Sequence, residues 1–157
     1  MSLNLKKLSK LKIIQVVEPS GNLKESYLKK SDESLFSSKV LHKNKQYNDA
    51  IALSYFSMYN SLLALLHFCG IKSENHNASI FILKEVFGID NSEIKTAKRE
   101  RKDKQYYPSL STSEEESADA IESAERFNSK IADFIDRLTN TEIMEIIGKF
   151  EGLLNED

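Results

Sequence analysis

Apolar residues recur every three to four positions along most of this chain, the spacing that gives a helix one buried face. Pro19-Ser20-Gly21 interrupts whatever precedes it. Asn22-Leu23-Lys24-Glu25 then reads as a capping box, with Asn22 accepting a backbone N–H and Glu25 reaching back. The pattern predicts a first long helix over about 23–41, with Leu23, Tyr27, Ser31, Leu35 and Ser38 on one stripe. The small residues in that stripe would admit a close neighbour. After a polar turn over 42–46, a second helix is predicted over 47–69, stopped by Gly70. Its apolar side chains cover two faces, one with Ile51, Tyr55, Met58 and Leu62, the other with Leu53, Phe56, Tyr59 and Leu63. A helix this apolar is buried on several sides, at the centre of the fold or between subunits.

Ser73 can cap a third helix over 75–87, ended by Gly88. Ser92 opens a fourth, polar helix running to Tyr106 and Tyr107, where Pro108 prevents continuation. Ser113-Glu114-Glu115-Glu116 is a second capping box, its carboxylates at the positive end of a helix dipole. Helical spacing then continues through Ile121, Ala124, Ile131 and Leu138, and a short last helix follows through Ile143 and Phe150. Only Ile13–Val17 is a candidate strand. The expected fold class is all-α, an up-and-down bundle of four to five main helices. Its expected organisation is an N-terminal extension (1–21), a bundle (22–138) and a short C-terminal helix (139–157) packed on or beside it. The extension carries Leu5, Leu8 and Leu11 among lysines, and reads as a basic amphipathic helix that docks on the bundle or on another subunit.

Composition narrows the class without naming an activity. With 157 residues, 40% of them hydrophobic, the chain can bury one core, and five Gly with two Pro leave little for the turns of a β-sandwich. No strictly apolar run approaches the ~20 residues of a membrane span. The lysine-studded start has no signal-peptide cleavage site. The single cysteine, Cys69, suits a reducing, cytoplasmic setting. The formal net charge of −2 gives no overall pull toward nucleic acid. Locally the balance is uneven: Lys95–Lys104 holds six bases and two acids, whereas Glu114–Glu125 holds six acids and no base. Either two neighbouring helices attract across a solvated seam, or the basic stretch binds phosphate.

Chemistry-bearing patterns are few. A di-metal bundle needs Glu-x-x-His pairs, which are absent, and His42, His67 and His76 are scattered, so no metal or other cofactor is expected. No Gly-rich phosphate loop exists, and Cys69 sits where an inert core thiol would. What remains is Arg99, Arg101, Lys102, Asp103, Tyr106 and Tyr107 near the end of the fourth helix. Arg101 and Gln105 share a helical face, with Tyr106 read as close to it. An arginine offers a planar fork matched to phosphate oxygens, and a tyrosine beside it can stack a base. A helix end stabilised by cations and sealed by aromatic residues would use the same residue types.

Gln46-Tyr47-Asn48-Asp49-Ala50-Ile51, followed by Ser54-Tyr55-Phe56-Ser57-Met58-Tyr59-Asn60, resembles the second helix of HEPN domains, small helical modules of prokaryotic defence and toxin–antitoxin systems. Leu62–Leu66 with Gly70, His76 at the opening of the third helix, Arg101–Tyr106 and Ala118–Leu138 extend the likeness over residues 22–138. The resemblance implies a homodimer, with Tyr55 and Tyr59 on its core helix and two arginine motifs near one shared cleft. It also implies a minimal nucleotidyltransferase as partner. Nuclease members cleave RNA without a metal, through an arginine and a histidine four to six residues further on. Here Arg101 takes the arginine position, and Tyr106 stands where the histidine would be. Tyrosine titrates at about 10 and histidine at about 6.5, so Tyr106 is a poor base at neutral pH. The leading expectation is therefore binding of RNA or a nucleotide through Arg99, Arg101, Lys102, Asp103 and Tyr107. An RNase toxin using Arg101 and Tyr106, and a non-catalytic interaction scaffold, stand as alternatives.

Overall fold

The structure is a computed structural model that describes residues 3–107 and 111–156. The expected helix stop at Pro108 lies outside the described residues. Among the described residues, seven helices and one two-stranded sheet follow in the order α1 (Leu5–Lys10), β1 (Ile14–Val16), α2 (Gly21–Lys43), α3 (Tyr47–Phe68), β2 (Ile71–Ser73), α4 (His76–Glu85), α5 (Ser92–Tyr106), α6 (Glu114–Arg137) and α7 (Asn140–Asn155). The fold is an all-α bundle, as the periodicity predicted.

α3 is its axis. Tyr55, Met58, Leu62, Leu65 and Leu66 are fully buried, because α2, α5 and α6 of the same chain take the faces of this helix. Its length and apolar character would suffice for a membrane span, but here they serve the interior of the bundle. Phe127 and Ile131 of α6 and Phe150 of α7 close the core from the other side. Each such large apolar side chain contributes about 1.5–3 kcal/mol by leaving water.

The small residues of α2 let it lie against α3, and their hydroxyls bond backbone as well as one another. Ser31 donates to the Ser57 carbonyl at 2.8 Å and Ser57 returns a bond to the Ser31 carbonyl at 2.8 Å. Ser38 reaches the Ala50 carbonyl at 2.7 Å and lies 2.8 Å from the Ser54 hydroxyl. Buried hydroxyls paired in this way fix the helix register, while the buried Ser61 hydroxyl of α3 has no partner among the described residues.

Several local expectations shift by a few residues. Ser20 rather than Asn22 caps α2, accepting the Leu23 N–H at 3.0 Å, and Leu23 in the first turn stays 43% exposed. Asn75 rather than Ser73 caps α4, accepting the Ala78 N–H at 2.9 Å. Ser73 is held instead in β2, which pairs antiparallel with β1 in the register Ile14–Ser73. Ser113 caps α6 as its capping box predicted, accepting the Glu116 N–H at 3.1 Å. Gly70 turns the chain from α3 into β2 at a φ of +76°, a left-handed conformation that costs glycine little.

Candidate functional site

α5 carries the cationic sequence, and its neighbours decide what each base can do. Only Ile94 on this helix is fully buried, so the helix rests on α3 by a narrow contact and exposes most of its circumference. Its side toward α6 is acidic: a cavity of about 470 Å³ is bordered by Glu93, Glu100, Glu116, Asp119 and Glu122. Lys104 pairs with Glu116 there at 3.0 Å, and Arg126 of α6 pairs with Glu93 at 3.4 Å. Lys104–Glu116 is thus an ion pair between the two contrasting stretches of the sequence, while Glu125 of the acidic stretch pairs with Lys39 of α2 at 3.0 Å.

Arg101 points to α3. Its guanidinium carbon lies 4.7 Å from the centroid of the Phe56 ring and 5.7 Å from that of Tyr55. The side chain is half-buried. Among the described residues, no carboxylate or other hydrogen-bond acceptor takes its N–H groups. A cation over an aromatic face is held in place, while the edge of the fork stays available to an anion.

Behind the guanidinium lies a ring of polar aromatics. The buried Tyr55 hydroxyl is 2.7 Å from Nδ1 of His76, the first residue of α4. The His76 ring stacks on Tyr59 with centroids 3.8 Å apart and planes 15° from parallel. Tyr59 in turn places its hydroxyl 3.1 Å from the Ser79 hydroxyl. Burial, with Tyr59 reinforcing it and Arg101 opposing it, pushes the Tyr55 phenol well above its usual range, so it keeps its proton. Burial, then the positive charges of Lys98 and Arg101, hold His76 below the usual imidazole range. At neutral pH the site thus presents a neutral imidazole beside an unpaired guanidinium.

The remaining sequence-selected residues separate from this cluster. Tyr106 is five positions after Arg101, a rotation of about 140° on an α-helix, and so falls on a different face. Spacing aligns Tyr106 with Lys95, Arg99 and Lys102 instead, and its ring is 65% exposed. Tyr107 caps α5 and is 59% exposed; Asp103 is half-exposed and accepts the Tyr107 N–H at its carbonyl. Arg99 and Lys102 are exposed along the outward stripe. Tyr55 and Tyr59 are core residues within one chain, 0% and 7% exposed. Sequence reading missed the roles of Phe56 and Lys98 and gave His76 no chemistry. Helical periodicity marks Phe56 as inward-facing but does not indicate which cation will cover it.

Among the described residues, no three His, Cys, Asp or Glu side chains cluster closely enough to share a metal ion. No curated protein matches the chain. A family model described as HEPN domain matches residues 24–135, from the first turn of α2 almost to the end of α6. That span contains the Tyr55, His76 and Arg101 cluster. More than half of the chain is covered, and the protein belongs to the HEPN domain family.

Proposed function

We propose that this HEPN protein binds RNA or a nucleotide by its phosphate groups at Arg101, working as a homodimer in the cytoplasm. Its partner would be a small nucleotidyltransferase of a toxin–antitoxin type module. One observation carries the binding reading: the Arg101 guanidinium is held on the Phe56 and Tyr55 rings and has no acidic partner among the described residues. A half-buried guanidinium without a counter-charge is a costly arrangement that a phosphate would complete. Phe36 and Val40, one turn apart on α2 and 70% and 43% exposed, support a further contact surface such as a dimer would use.

A second reading, RNA cleavage, draws support from His76. In it the neutral imidazole removes the proton of a ribose 2′-OH, and the 2′-oxygen attacks the adjacent phosphorus. The 5′-oxygen then leaves and takes a proton from solvent, giving a 2′,3′-cyclic phosphate. Arg101 stabilises the charge that gathers on the phosphoryl oxygens. The base in this reading is His76 and not Tyr106.

Both readings are tested on the full chain with a fluorescently labelled single-stranded RNA. Binding should weaken as salt rises, and Arg101→Ala should lower affinity by about 10- to 100-fold, the range of a charge-assisted bond. No binding by the wild type at about 100 μM removes the proposal, since even non-specific nucleic-acid contacts reach that range. Cleavage in the presence of chelator that His76→Ala lowers by about 100-fold or more, and Tyr106→Phe spares, would favour the second reading.

A further inference from the structure

The N-terminal segment, outside the family match, folds back to form one wall of a cationic groove. Its anchor is the β1–β2 ladder, extended by bonds from Val17 N–H to the Gly70 carbonyl at 2.8 Å and from Glu74 N–H to the Ile13 carbonyl at 2.9 Å. Lys12, at a φ of +58°, reverses the chain between α1 and β1. α1 is thereby laid across the open side of α4 and α5, with its other side against α7.

The groove between these helices has a volume of about 1120 Å³. Its cations are Lys7 from α1 and Lys95, Lys98, Arg99 and Lys102 from α5, and among the described residues no carboxylate lines it. Among the described residues, Lys7, Lys95, Arg99 and Lys102 form no ion pair, while Lys98 donates to the side-chain carbonyl of Asn77. Burial, then the like charges of Lys102 and Arg101, depress the Lys98 ammonium, a sign of positive potential that the protein does not itself offset. Beside the cations, Leu8, Leu11, Ile80 and Phe81 give an apolar surface. Asn4 and Asn77 spend their side-chain oxygens on the Lys7 N–H and on Lys98, which leaves their amide NH2 groups to donate to a heterocycle edge. Phosphate, apolar ring and amide-reading edge together describe a nucleotide.

We propose that the α1–α5 groove is a second binding site, for the phosphates and base of a nucleotide, with α1 as an integral wall. The nucleotide is either a free nucleoside triphosphate or the 5′-phosphorylated end of a single strand. The site uses residues other than Arg101 and His76, so it stands or falls separately from the RNA-binding reading.

The test titrates fluorescent ATP and a labelled 5′-phosphorylated tetranucleotide against the full-length wild type and three charge reversals. Lys7→Glu and Lys95→Glu alter exposed, unpaired cations of the groove, and Lys43→Glu makes the same charge change at the far end of α2. Each groove variant should weaken binding of at least one ligand about tenfold with an unchanged melting curve, while Lys43→Glu binds as wild type. The ligand more strongly affected identifies the source of the phosphate. Equal losses in all three variants would mean bulk charge alone and would overturn the proposal. So would wild-type binding that Arg101→Ala abolishes and both groove variants retain, or no wild-type binding to either ligand at about 1 mM.

Discussion

The guanidinium carbon of Arg101 lies 4.7 Å from the centre of the Phe56 ring, a contact between α5 and α3 that joins positions far apart in the chain. This contact removes Arg101 from the exposed stripe of Arg99, Lys102 and Tyr106 and brings it into the same neighbourhood as His76. One short stretch of sequence therefore supplies two differently oriented cationic surfaces. The inner one is preorganised by aromatic rings; the outer one faces α1 and solvent. Preorganisation matters because a side chain already held in place loses less freedom when an anion arrives.

The Tyr55 hydroxyl holds His76 through the 2.7 Å contact to Nδ1, so Tyr55→Phe should release the imidazole without removing the ring beneath Arg101. We expect a stability loss of about 0.5–1.5 kcal/mol, the net worth of one hydrogen bond to a half-buried ring nitrogen. RNA affinity should fall much less than in Arg101→Ala. Denaturant unfolding and anisotropy on the two variants check this; equal losses of affinity would assign the anion contact to the hydroxyl instead.

Stability should depend on pH through His67 and His76. Both are held below the usual imidazole value of about 6.5, by burial first and then by positive neighbours: Lys72 for His67, Lys98 and Arg101 for His76. The unfolded chain therefore binds more protons than the folded one just below pH 6.5, and stability rises with pH in that window. The folded state keeps its full histidine contribution above about pH 6.5 and loses it progressively as pH falls below that value. Urea midpoints at pH 7.5, 6.5 and 5.5 should decline in that order, and His67→Gln should flatten the decline. A level profile in the wild type would contradict it.

Gly70→Ala tests the anchor of the N-terminal segment. A Cβ there would stand 2.6 Å from the Val17 carbonyl oxygen, on a backbone already at a φ of +76°. The left-handed conformation alone costs a non-glycine residue about 1–2 kcal/mol. Displacing the Val17 carbonyl adds to that cost. The melting temperature should fall by about 2–4 °C for each kcal/mol lost, and the Val17 amide, bonded to Gly70, should exchange faster with solvent. An unchanged exchange rate would show that the segment holds by α1 packing alone.

The long helices were legible because their signals are local. Ser113 with Glu116, the glycines at 70 and 88, and the apolar spacing of Ile121 to Leu138 each act within a few residues of themselves. Ser31 and Ser38 in α2 were legible as a close-packing stripe, though not as partners of Ser57, Ala50 and Ser54. The β1–β2 pairing was visible only as a weak strand signal at 13–17, since three residues of ladder have no periodicity and their partners lie far along the chain. The candidate site was legible in its residue types and not in its grouping. Sequence pointed to Arg101 with Tyr106; packing joined Arg101 with Phe56, Tyr55 and His76.

The amino-acid sequence by itself determined the helical class, most helix limits, the many-sided burial of α3 and the concentration of cations on α5. These follow from burial of apolar surface at a 3.6-residue period and from backbone capping, both short-range effects. Only the tertiary structure decided which cations remain unpaired, which one rests on aromatic rings beside a neutral histidine, and that the N-terminal segment closes a groove. Those outcomes depend on how helices rotate and meet across the core, where small differences in packing between distant residues select one arrangement.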